Sequence, residues 1–280
     1  MSMFTAVEMA PRDPILGLNE QYNADTNPNK VNLGVGVYFD DNGKLPLLQC
    51  VQAAEKTMMA TPSARGYLPI DGIAAYDAAV KSLVFGADSE PVKSGRVATV
   101  QGIGGTGGLK IGADFLKRLS PNATVLISDP SWENHRALFT NAGFKVDTYA
   151  YYDAEKRGVN FEGMLASLNA AAAGTIVVLH ACCHNPTGYD ITAAQWDQVV
   201  SVVKAKNLTA FLDMAYQGFG HGIAEDGAVI QKFVDAGLCF FVSTSFSKSF
   251  SLYGERVGAL SVLCADKEEC SRVLSQLKIV

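Results

Sequence analysis

From residue 97 onward, short β-branched segments alternate regularly with segments of helical periodicity. Strands separated by helices of about a dozen residues form βαβ units, in which neighbouring strands run parallel and helices cover both faces of the sheet. A last strand, residues 256–263, follows the strand before it without an intervening helix, so we expect it to run antiparallel. The pattern predicts an α/β fold with a mostly parallel, seven-stranded sheet. The predicted strands are 97–101, 124–128, 145–151, 175–181, 209–213, 239–245 and 256–263, and the predicted helices are 107–119, 132–142, 161–170, 192–206, 225–236 and 266–277.

The first 45 residues differ from this repeating pattern. They are rich in proline and in polar turn residues, as in Asp25-Thr26-Asn27-Pro28-Asn29. We expect an extended arm here, followed by a short strand over residues 31–37 that Gly34 and Gly36 interrupt.

Composition excludes several classes of protein. Apolar residues make up 48% of the chain, which is enough for a sizeable core. A net charge of -5 gives no electrostatic basis for binding nucleic acid or an anionic membrane. The sequence contains neither an apolar run of the ~20 residues that a membrane helix needs nor a secretory signal. Six cysteines in 280 residues are too few for a disulfide framework, so we expect reduced thiols and a cytoplasmic enzyme.

Polar and reactive residues follow several of the predicted strands. In a parallel sheet the carboxyl ends of the strands meet at one edge, where ligands bind. The residues expected at that edge are Gly102 to Gly107, Asp129 to Trp132, Cys182 to Gly188, Asp213 to Tyr216 and Ser245 to Lys248.

The run from Gly102 to Gly107 reads G-x-G-x-x-G between a strand and a helix. Such a loop can hold a phosphate on backbone N–H groups at a helix N-terminus. Together with Asp129 at the end of the next strand, it also matches a dinucleotide-binding pattern. A merely flexible loop is the third interpretation.

Two ionisable residues of this edge have distinct chemical uses. Lys248 follows an apolar strand, and burial beside a cation such as Arg256 would lower its pKa and make it a nucleophile for carbonyl groups. Asp213 ends the apolar run 210–212 and would either cap a helix or face a cationic ligand from a buried position. A buried carboxylate of this kind can keep a pyridine nitrogen protonated at neutral pH.

The segment from His180 to His184 contains two histidines and two adjacent cysteines. Zinc sites need separated cysteine pairs, which this segment lacks, so we predict no metal site.

Four ordered motifs resemble the pyridoxal-phosphate aminotransferases of fold type I, most closely their aspartate and aromatic branch. Within that branch, residues 67–69, 128–135 and 250–256 look most like the bacterial aromatic-amino-acid aminotransferases. The resemblance extends from Asp13 to the end of the chain. The motifs are His184-Asn185-Pro186-Thr187-Gly188, Asp213-Met214-Ala215-Tyr216-Gln217-Gly218-Phe219, Ser245-Phe246-Ser247-Lys248 and Tyr253-Gly254-Glu255-Arg256.

The resemblance implies a role for each matching residue. Lys248 would form a Schiff base with pyridoxal 5'-phosphate and carry the proton during transamination. Asp213 would hold the ring nitrogen protonated, with His135 and His180 supporting it, while Tyr216 and Asn185 would bind the phenolic oxygen of the ring. Trp132, Asn185 and the backbone of Gly36 would place the substrate carboxylate, and Trp132 would also contact the cofactor. The phosphate would be bound by Gly105, Thr106, Ser245, Arg256 and Tyr67 of a second subunit, and Gly104 and Ser247 would also contact the cofactor.

The resemblance also implies an organisation. Residues 1–45 would form an N-terminal arm and the first part of a small domain, and residues 46–280 the large cofactor-binding domain of a homodimer. Family members continue for about a hundred residues that carry two substrate-binding arginines, so we expect the chain to be truncated and its small domain incomplete.

The implied activity is transamination between an aromatic or acidic L-amino acid and 2-oxoglutarate. Three alternatives remain open at this stage: aspartate aminotransferase proper, an NAD-dependent dehydrogenase built on Gly102 to Gly107, and a non-catalytic fragment.

Overall fold

The computed structural model describes residues 2–11, 16–32, 34 and 36–280. The chain divides into two compact units, residues 1–47 and residues 48–280. Assigning the first to a small domain and the second to a cofactor-binding domain stays a prediction. Asp13 to Ile15, where the family resemblance begins, lie outside the described residues.

The first unit contains helix α1, Leu16–Ala24. The short strand predicted over residues 31–37 is wrong for the described part of that segment, which has no strand. Instead, Oδ1 of Asn32 accepts the N–H of Gly34 at 2.9 Å. Such a local side-chain bond competes with strand pairing for the backbone groups.

The second unit is built on a seven-stranded sheet with the order β1-β9-β8-β7-β6-β2-β3. Its neighbours pair in parallel except that β9 is antiparallel to both β1 and β8. The mostly parallel sheet and its antiparallel last strand are therefore confirmed. The strands are β1 (Val97–Ile103), β2 (Thr124–Asp129), β3 (Lys145–Ala150), β6 (Ile176–His180), β7 (Thr209–Met214), β8 (Phe240–Ser245) and β9 (Val257–Leu263), and the two short strands β4 (Tyr152–Asp153) and β5 (Gly158–Val159) form a separate ribbon.

Helices cover both faces of this sheet. Buried side chains of α3, α7, α8 and α9 form one core with half of the strand residues, and those of α5, α6 and α10 form a second core with the other half. Side chains of β7 alternate between the two, with Leu212 in the first core and Phe211 in the second. The helices are α2 (Gln49–Ala60), α3 (Ala74–Phe85), α4 (Glu90–Lys93), α5 (Gly104–Leu119), α6 (Glu133–Asn141), α7 (Phe161–Ala170), α8 (Ala193–Ala205), α9 (Ile223–Asp235) and α10 (Lys267–Leu277).

Helix α5 packs unusually close to the sheet because its inner face is made of glycine. A Cβ atom on Gly108 would lie 2.6 Å from the carbonyl oxygen of Ala259, and one on Gly112 would lie 2.5 Å from the ring of Phe211. Real Cβ contacts are longer, so a larger residue at either position would push the helix away. This packing fixes the N-terminus of α5 at the carboxyl end of β1.

Among the described residues, no helix combines the length and the apolar character that crossing a membrane requires.

Candidate active site

The predicted reactive residues lie where the carboxyl ends of β2, β6, β7 and β8 meet. Asp213 is the second-to-last residue of β7, and Lys248 follows the end of β8 by three residues. Asn185 follows β6, and Trp132 lies between β2 and α6. All four positions agree with the edge predicted from the sequence.

Asp213 is buried at the centre of this edge, with 5% of its surface exposed. Its Oδ2 atom lies 2.8 Å from Nε2 of His135. The helix-cap interpretation of Asp213 is wrong, because the residue belongs to β7 and the next helix, α9, begins at Ile223 after Gly222. A buried carboxylate held by one imidazole has further acceptor capacity for a ligand cation.

His135 is fully buried and is bonded at both ring nitrogens. Its Nε2 donates to Asp213, and its Nδ1 lies 2.9 Å from Oγ of Ser131. The carboxylate accepts, so in the neutral imidazole Ser131 donates to Nδ1. These contacts hold His135 in one orientation behind Asp213.

His180 lies beside His135, with 5.0 Å between the ring centroids. Both of its ring nitrogens are buried and make no hydrogen bond. Burial, followed by the neighbouring His135 and His184, holds the pKa of His180 well below its usual range. A neutral His180 therefore adds no positive charge next to Asp213.

Lys248 is half-buried, and its Nζ lies 5.0 Å from the centre of the Tyr216 ring. Burial lowers the pKa of Lys248; the Asp213 charge opposes this shift, and the Arg256 charge adds to it. A larger fraction of the amine is therefore unprotonated than for an ordinary lysine, which favours attack on a carbonyl group.

Tyr216 is half-buried just after β7. Its hydroxyl has a raised pKa, mainly through burial and then through the negative charge of Asp213. The phenol therefore stays protonated at neutral pH and can donate a hydrogen bond to an anionic oxygen.

The start of α5 and the segment after β8 form a cradle of hydrogen-bond donors. Gly104 has a φ of +66°, and its N–H donates to the carbonyl of Arg256 at 2.8 Å. A Cβ atom on Gly104 would lie 2.5 Å from Nη2 of Arg256, so only glycine leaves room for the guanidinium there. Nη1 of Arg256 donates to Oγ of Ser247 at 3.4 Å. One side chain thus bridges the two segments.

Two more of the predicted residues belong to this cradle. Ser245 lies against Gly105, where an added Cβ would be 3.0 Å from Cβ of the serine. The N–H of Ser247 donates to Oγ of Ser245 at 3.3 Å, and Thr106 is exposed in the first turn of α5. A guanidinium, hydroxyls and a helix N-terminus are donors suited to a phosphate dianion.

Four further predicted residues differ in their exposure and position. Trp132 is half-buried and meets the His135 ring edge-on, with 5.3 Å between centroids. Asn185 is half-buried, whereas Tyr67 is fully exposed. Gly36 belongs to the first unit. Their roles toward cofactor, substrate and second subunit stay predictions.

The site also contains residues to which the sequence analysis assigned no role. Ser131 orients His135, and the ring of His184 bonds to Ser128 and Thr187. The carboxylate of Asp190 accepts the N–H groups of Cys183 and His184 at 2.6 and 2.8 Å. No local pattern gives these roles, because each residue acts through a partner that the fold brings to it.

Two groups of described side chains have enough nearby donor atoms to hold a metal ion: His135 with His180 and Asp213, and Cys182 with Cys183 and Asp226. In the first group, both nitrogens of His135 are already hydrogen-bonded. In the second, burial raises the pKa of both thiols, which disfavours the metal-binding thiolate.

In that second group, the carboxylate of Asp226 already accepts three backbone N–H groups, those of Gly218, Gly220 and His221. Neither arrangement therefore offers a set of free ligands.

These residues fit pyridoxal phosphate. The cradle supplies donors for its phosphate, the buried Asp213 carboxylate supplies an anion for its ring nitrogen, and Lys248 supplies the amine. The dinucleotide alternative fits less well. In a dinucleotide-binding fold the strand before the glycines is central and parallel to its neighbours, whereas β1 lies at the sheet edge and pairs only with antiparallel β9.

Comparison with known proteins gives a consistent result. The family model "Aminotransferase class I and II" matches residues 28–280. An aspartate aminotransferase of Pseudomonas aeruginosa is 64% identical over the whole chain, which covers 70% of that relative. An aromatic-amino-acid aminotransferase of Escherichia coli is 52% identical over 99% of the chain and 70% of its own length.

A solved structure, the aromatic-amino-acid aminotransferase of Burkholderia pseudomallei covalently bound to pyridoxal phosphate, is 66% identical and superposes with a TM-score of 0.98. The chain is covered completely, and 70% of that structure is covered. The family predicted from the four motifs is therefore confirmed: the chain belongs to the class I and II aminotransferases.

Proposed function

We propose that this protein is a pyridoxal-phosphate-dependent aminotransferase that moves an amino group between an aromatic or acidic L-amino acid and 2-oxoglutarate. The observation that carries the proposal is the position of Lys248. Its amine, with a lowered pKa, lies next to Tyr216 at the same sheet edge as the buried Asp213. A dehydrogenase would leave these three residues without a task.

Bound pyridoxal phosphate supplies an aldehyde for covalent attachment and an electron-accepting ring. Toward that group, Lys248 provides the attacking Nζ and afterwards a base that takes the proton from the α-carbon of the substrate. The lowered pKa serves both tasks, because an ammonium group can neither attack nor accept a proton.

Asp213 provides the negative charge that keeps the ring nitrogen protonated. His135 holds the carboxylate at its Oδ2 atom, and the neutral His180 next to His135 leaves that charge uncompensated. Coulomb attraction between Asp213 and a ring cation at hydrogen-bonding distance is about 4 kcal/mol for an effective dielectric constant of 20.

Arg256, Ser245, Ser247 and the first turn of α5 would hold the phosphate, and Tyr216 and Asn185 would donate to the phenolic oxygen. Trp132 and Asn185 would face the substrate carboxylate. A homodimer completes the proposal: Tyr67 is fully exposed and would reach the phosphate of a second subunit. We also propose a cytoplasmic location, in keeping with six cysteines that are all free thiols.

Aspartate aminotransferase proper is the second candidate. It is favoured by the 64% identity to the Pseudomonas aeruginosa enzyme of that name, which is close to the 66% identity to the aromatic enzyme of known structure. The third possibility, a non-catalytic protein, predicts cofactor binding without turnover.

The test of the proposed function begins with covalent attachment. The purified protein, mixed with pyridoxal phosphate and then treated with borohydride, should carry one reduced cofactor on the peptide containing Lys248. Attachment at another lysine, or none, would contradict the proposal. Production of glutamate from 2-oxoglutarate with tyrosine or aspartate as donor then separates the enzyme from a non-catalytic protein.

A further inference from the structure

The His184 side chain, in the turn that carries Asn185, is buried and hydrogen-bonded at both ring nitrogens. It is 2% exposed, and both of its ring nitrogens bond to hydroxyls. Nε2 lies 2.8 Å from Oγ of Ser128 at the end of β2, and Nδ1 lies 2.8 Å from Oγ1 of Thr187 within the turn. The ring therefore connects two separate segments of the chain.

The ring also stacks on an aromatic side chain. The Tyr151 ring lies parallel to His184, with centroids 3.9 Å apart and planes inclined by 16°. The Tyr151 hydroxyl in turn donates to the carbonyl of Tyr189 at 2.7 Å, at the far end of the same turn. These contacts leave the imidazole no freedom to rotate.

The backbone of the turn is held at the same place. The N–H of His184 donates to Asp190, and the N–H of Gly188 donates back to the carbonyl of His184 at 2.7 Å. Asn185 lies inside the loop that this second bond closes. The residue before Asn185, His184, is therefore held at its ring, its backbone N–H and its carbonyl.

The buried position of His184 favours its neutral form. Burial, followed by the neighbouring His135, lowers the pKa of His184 to about 4. The other titratable groups near it are His180, Tyr151 and the carboxylate of Asp190. A neutral ring can donate from one nitrogen and accept at the other, and hydroxyls can satisfy both arrangements.

We infer that His184 is a positioning residue that, through its bonds to Ser128 and Thr187, fixes the turn from which the Asn185 amide reaches the phenolic oxygen of the cofactor. The inference rests on the proposed function, since it concerns the same cofactor. It also links both histidines to one part of the chain: Ser128, at the end of β2, bonds to His184, and Ser131, in the turn after β2, bonds to His135.

The test is the pH midpoint of the visible absorbance of the bound cofactor, measured on the holoenzyme. His184→Phe keeps the flat ring that stacks on Tyr151 but removes both hydrogen bonds. A displaced Asn185 amide stabilises the ionised phenolic oxygen less, so the midpoint should rise by about 0.5–1 unit. Ser128→Ala removes the hydroxyl that bonds to Nε2 of His184, and Thr187→Val removes the one that bonds to Nδ1 and also accepts the N–H of Tyr189. Both substitutions change the volume little, and each should give a smaller rise.

Two further variants make the result specific. His221→Phe is the same substitution at an exposed histidine outside the site and should leave the midpoint unchanged. Asn185→Ala removes the amide itself and should raise the midpoint at least as far as His184→Phe. Amide hydrogen exchange of residues 183–189 should become faster in His184→Phe.

An unchanged midpoint in His184→Phe, beside a raised midpoint in Asn185→Ala, would overturn the inference and leave the proposed function intact. So would a loss of thermal stability without a shift, which is what purely structural packing predicts. If His184→Phe does not fold, unchanged midpoints in both Ser128→Ala and Thr187→Val overturn the inference. Failure of the proposed function is recognised separately, as absence of cofactor attachment to Lys248.

Discussion

The Oδ2 atom of Asp213 and the Nε2 atom of His135 lie 2.8 Å apart, and both side chains are buried. Ser131 bonds to the other nitrogen of His135, so the carboxylate is held by a chain of two contacts that begins in the turn after β2. A carboxylate fixed in this way needs no reorganisation when a cation binds to it, which makes its charge effective for catalysis.

Asp213→Asn should fold but lose turnover by about a thousandfold. A neutral amide cannot hold the pyridine proton, and the roughly 4 kcal/mol of attraction corresponds to about three powers of ten in rate. Asp213→Glu keeps the charge and should lose less. Steady-state kinetics of the three proteins check this, and equal rates for wild type and the Asn variant would place the electron-sink function elsewhere.

Lys248→Ala should abolish transamination while the cofactor still binds non-covalently, because the phosphate and ring contacts remain. Absorbance spectra and borohydride reduction followed by peptide mass analysis measure this directly. Lys145→Ala, at an exposed position on β3, is the matched control and should retain both attachment and activity. Full activity of Lys248→Ala would refute the assignment of the nucleophile.

Arg256→Gln should weaken binding of pyridoxal phosphate by about 10- to 100-fold, since a hydrogen bond to a charged group contributes on the order of 1.5–3 kcal/mol. Fluorescence titration of the apoprotein gives the dissociation constant. Arg272→Gln removes a guanidinium that pairs with Glu268 on α10 and should leave the affinity unchanged. Equal affinities for wild type and Arg256→Gln would remove Arg256 from the phosphate site.

The sheet and the positions of its polar residues could be predicted from sequence because both follow from local patterns. The alternation of strands and helices predicted every strand of the main sheet, with each end within two residues of the observed one. The parallel topology then predicted that Asp213 and Lys248 lie at the carboxyl edge. Wherever a residue acts from the end of its own strand, its neighbours in sequence are enough to place it.

The supporting contacts could not be predicted in this way. Ser128 and His184 are 56 residues apart in the chain, and Ser131 reaches Asp213 only through His135. No spacing rule connects such residues, since the crossover between two parallel strands can have many lengths. The sequence left two interpretations of Asp213 open for a related reason: an acid after an apolar run is typical both of helix starts and of buried strand ends.

Asp77 should make the protein less stable above about pH 6. It is buried near the start of α3, its Oδ1 has no hydrogen-bond partner, and burial raises its pKa to about 6. Because the pKa in the folded state is raised, its ionisation costs stability as pH rises from the unfolded value near 4 through 6. Between pH 4 and 7, the free energy of unfolding should therefore decrease by about 1–2 kcal/mol less in Asp77→Asn than in wild type.

The measurement is urea unfolding of wild type and Asp77→Asn at several pH values. Asp71→Asn is an informative control, because a hydrogen bond from Lys278 lowers the pKa of Asp71. The Asp71 contribution has the opposite sign: it is present above the unfolded pKa and lost as pH falls through the folded one. Parallel pH profiles for wild type and Asp77→Asn would show that Asp77 ionises normally.

The last prediction concerns the substrate. Three segments, around Tyr67, around Trp132 and over residues 250–256, resemble those of aromatic-amino-acid aminotransferases. We therefore expect the chain, completed to the length of its relatives, to transfer amino groups from tyrosine and phenylalanine to 2-oxoglutarate and also to accept aspartate. The measurement is kcat/KM for tyrosine and for aspartate with 2-oxoglutarate held constant. Values within about a hundredfold of each other, or roughly 3 kcal/mol in transition-state binding, support a dual-specificity site. A tyrosine value thousands of times lower would identify an aspartate aminotransferase, because a pocket built for a short acidic side chain leaves no room for the aromatic ring.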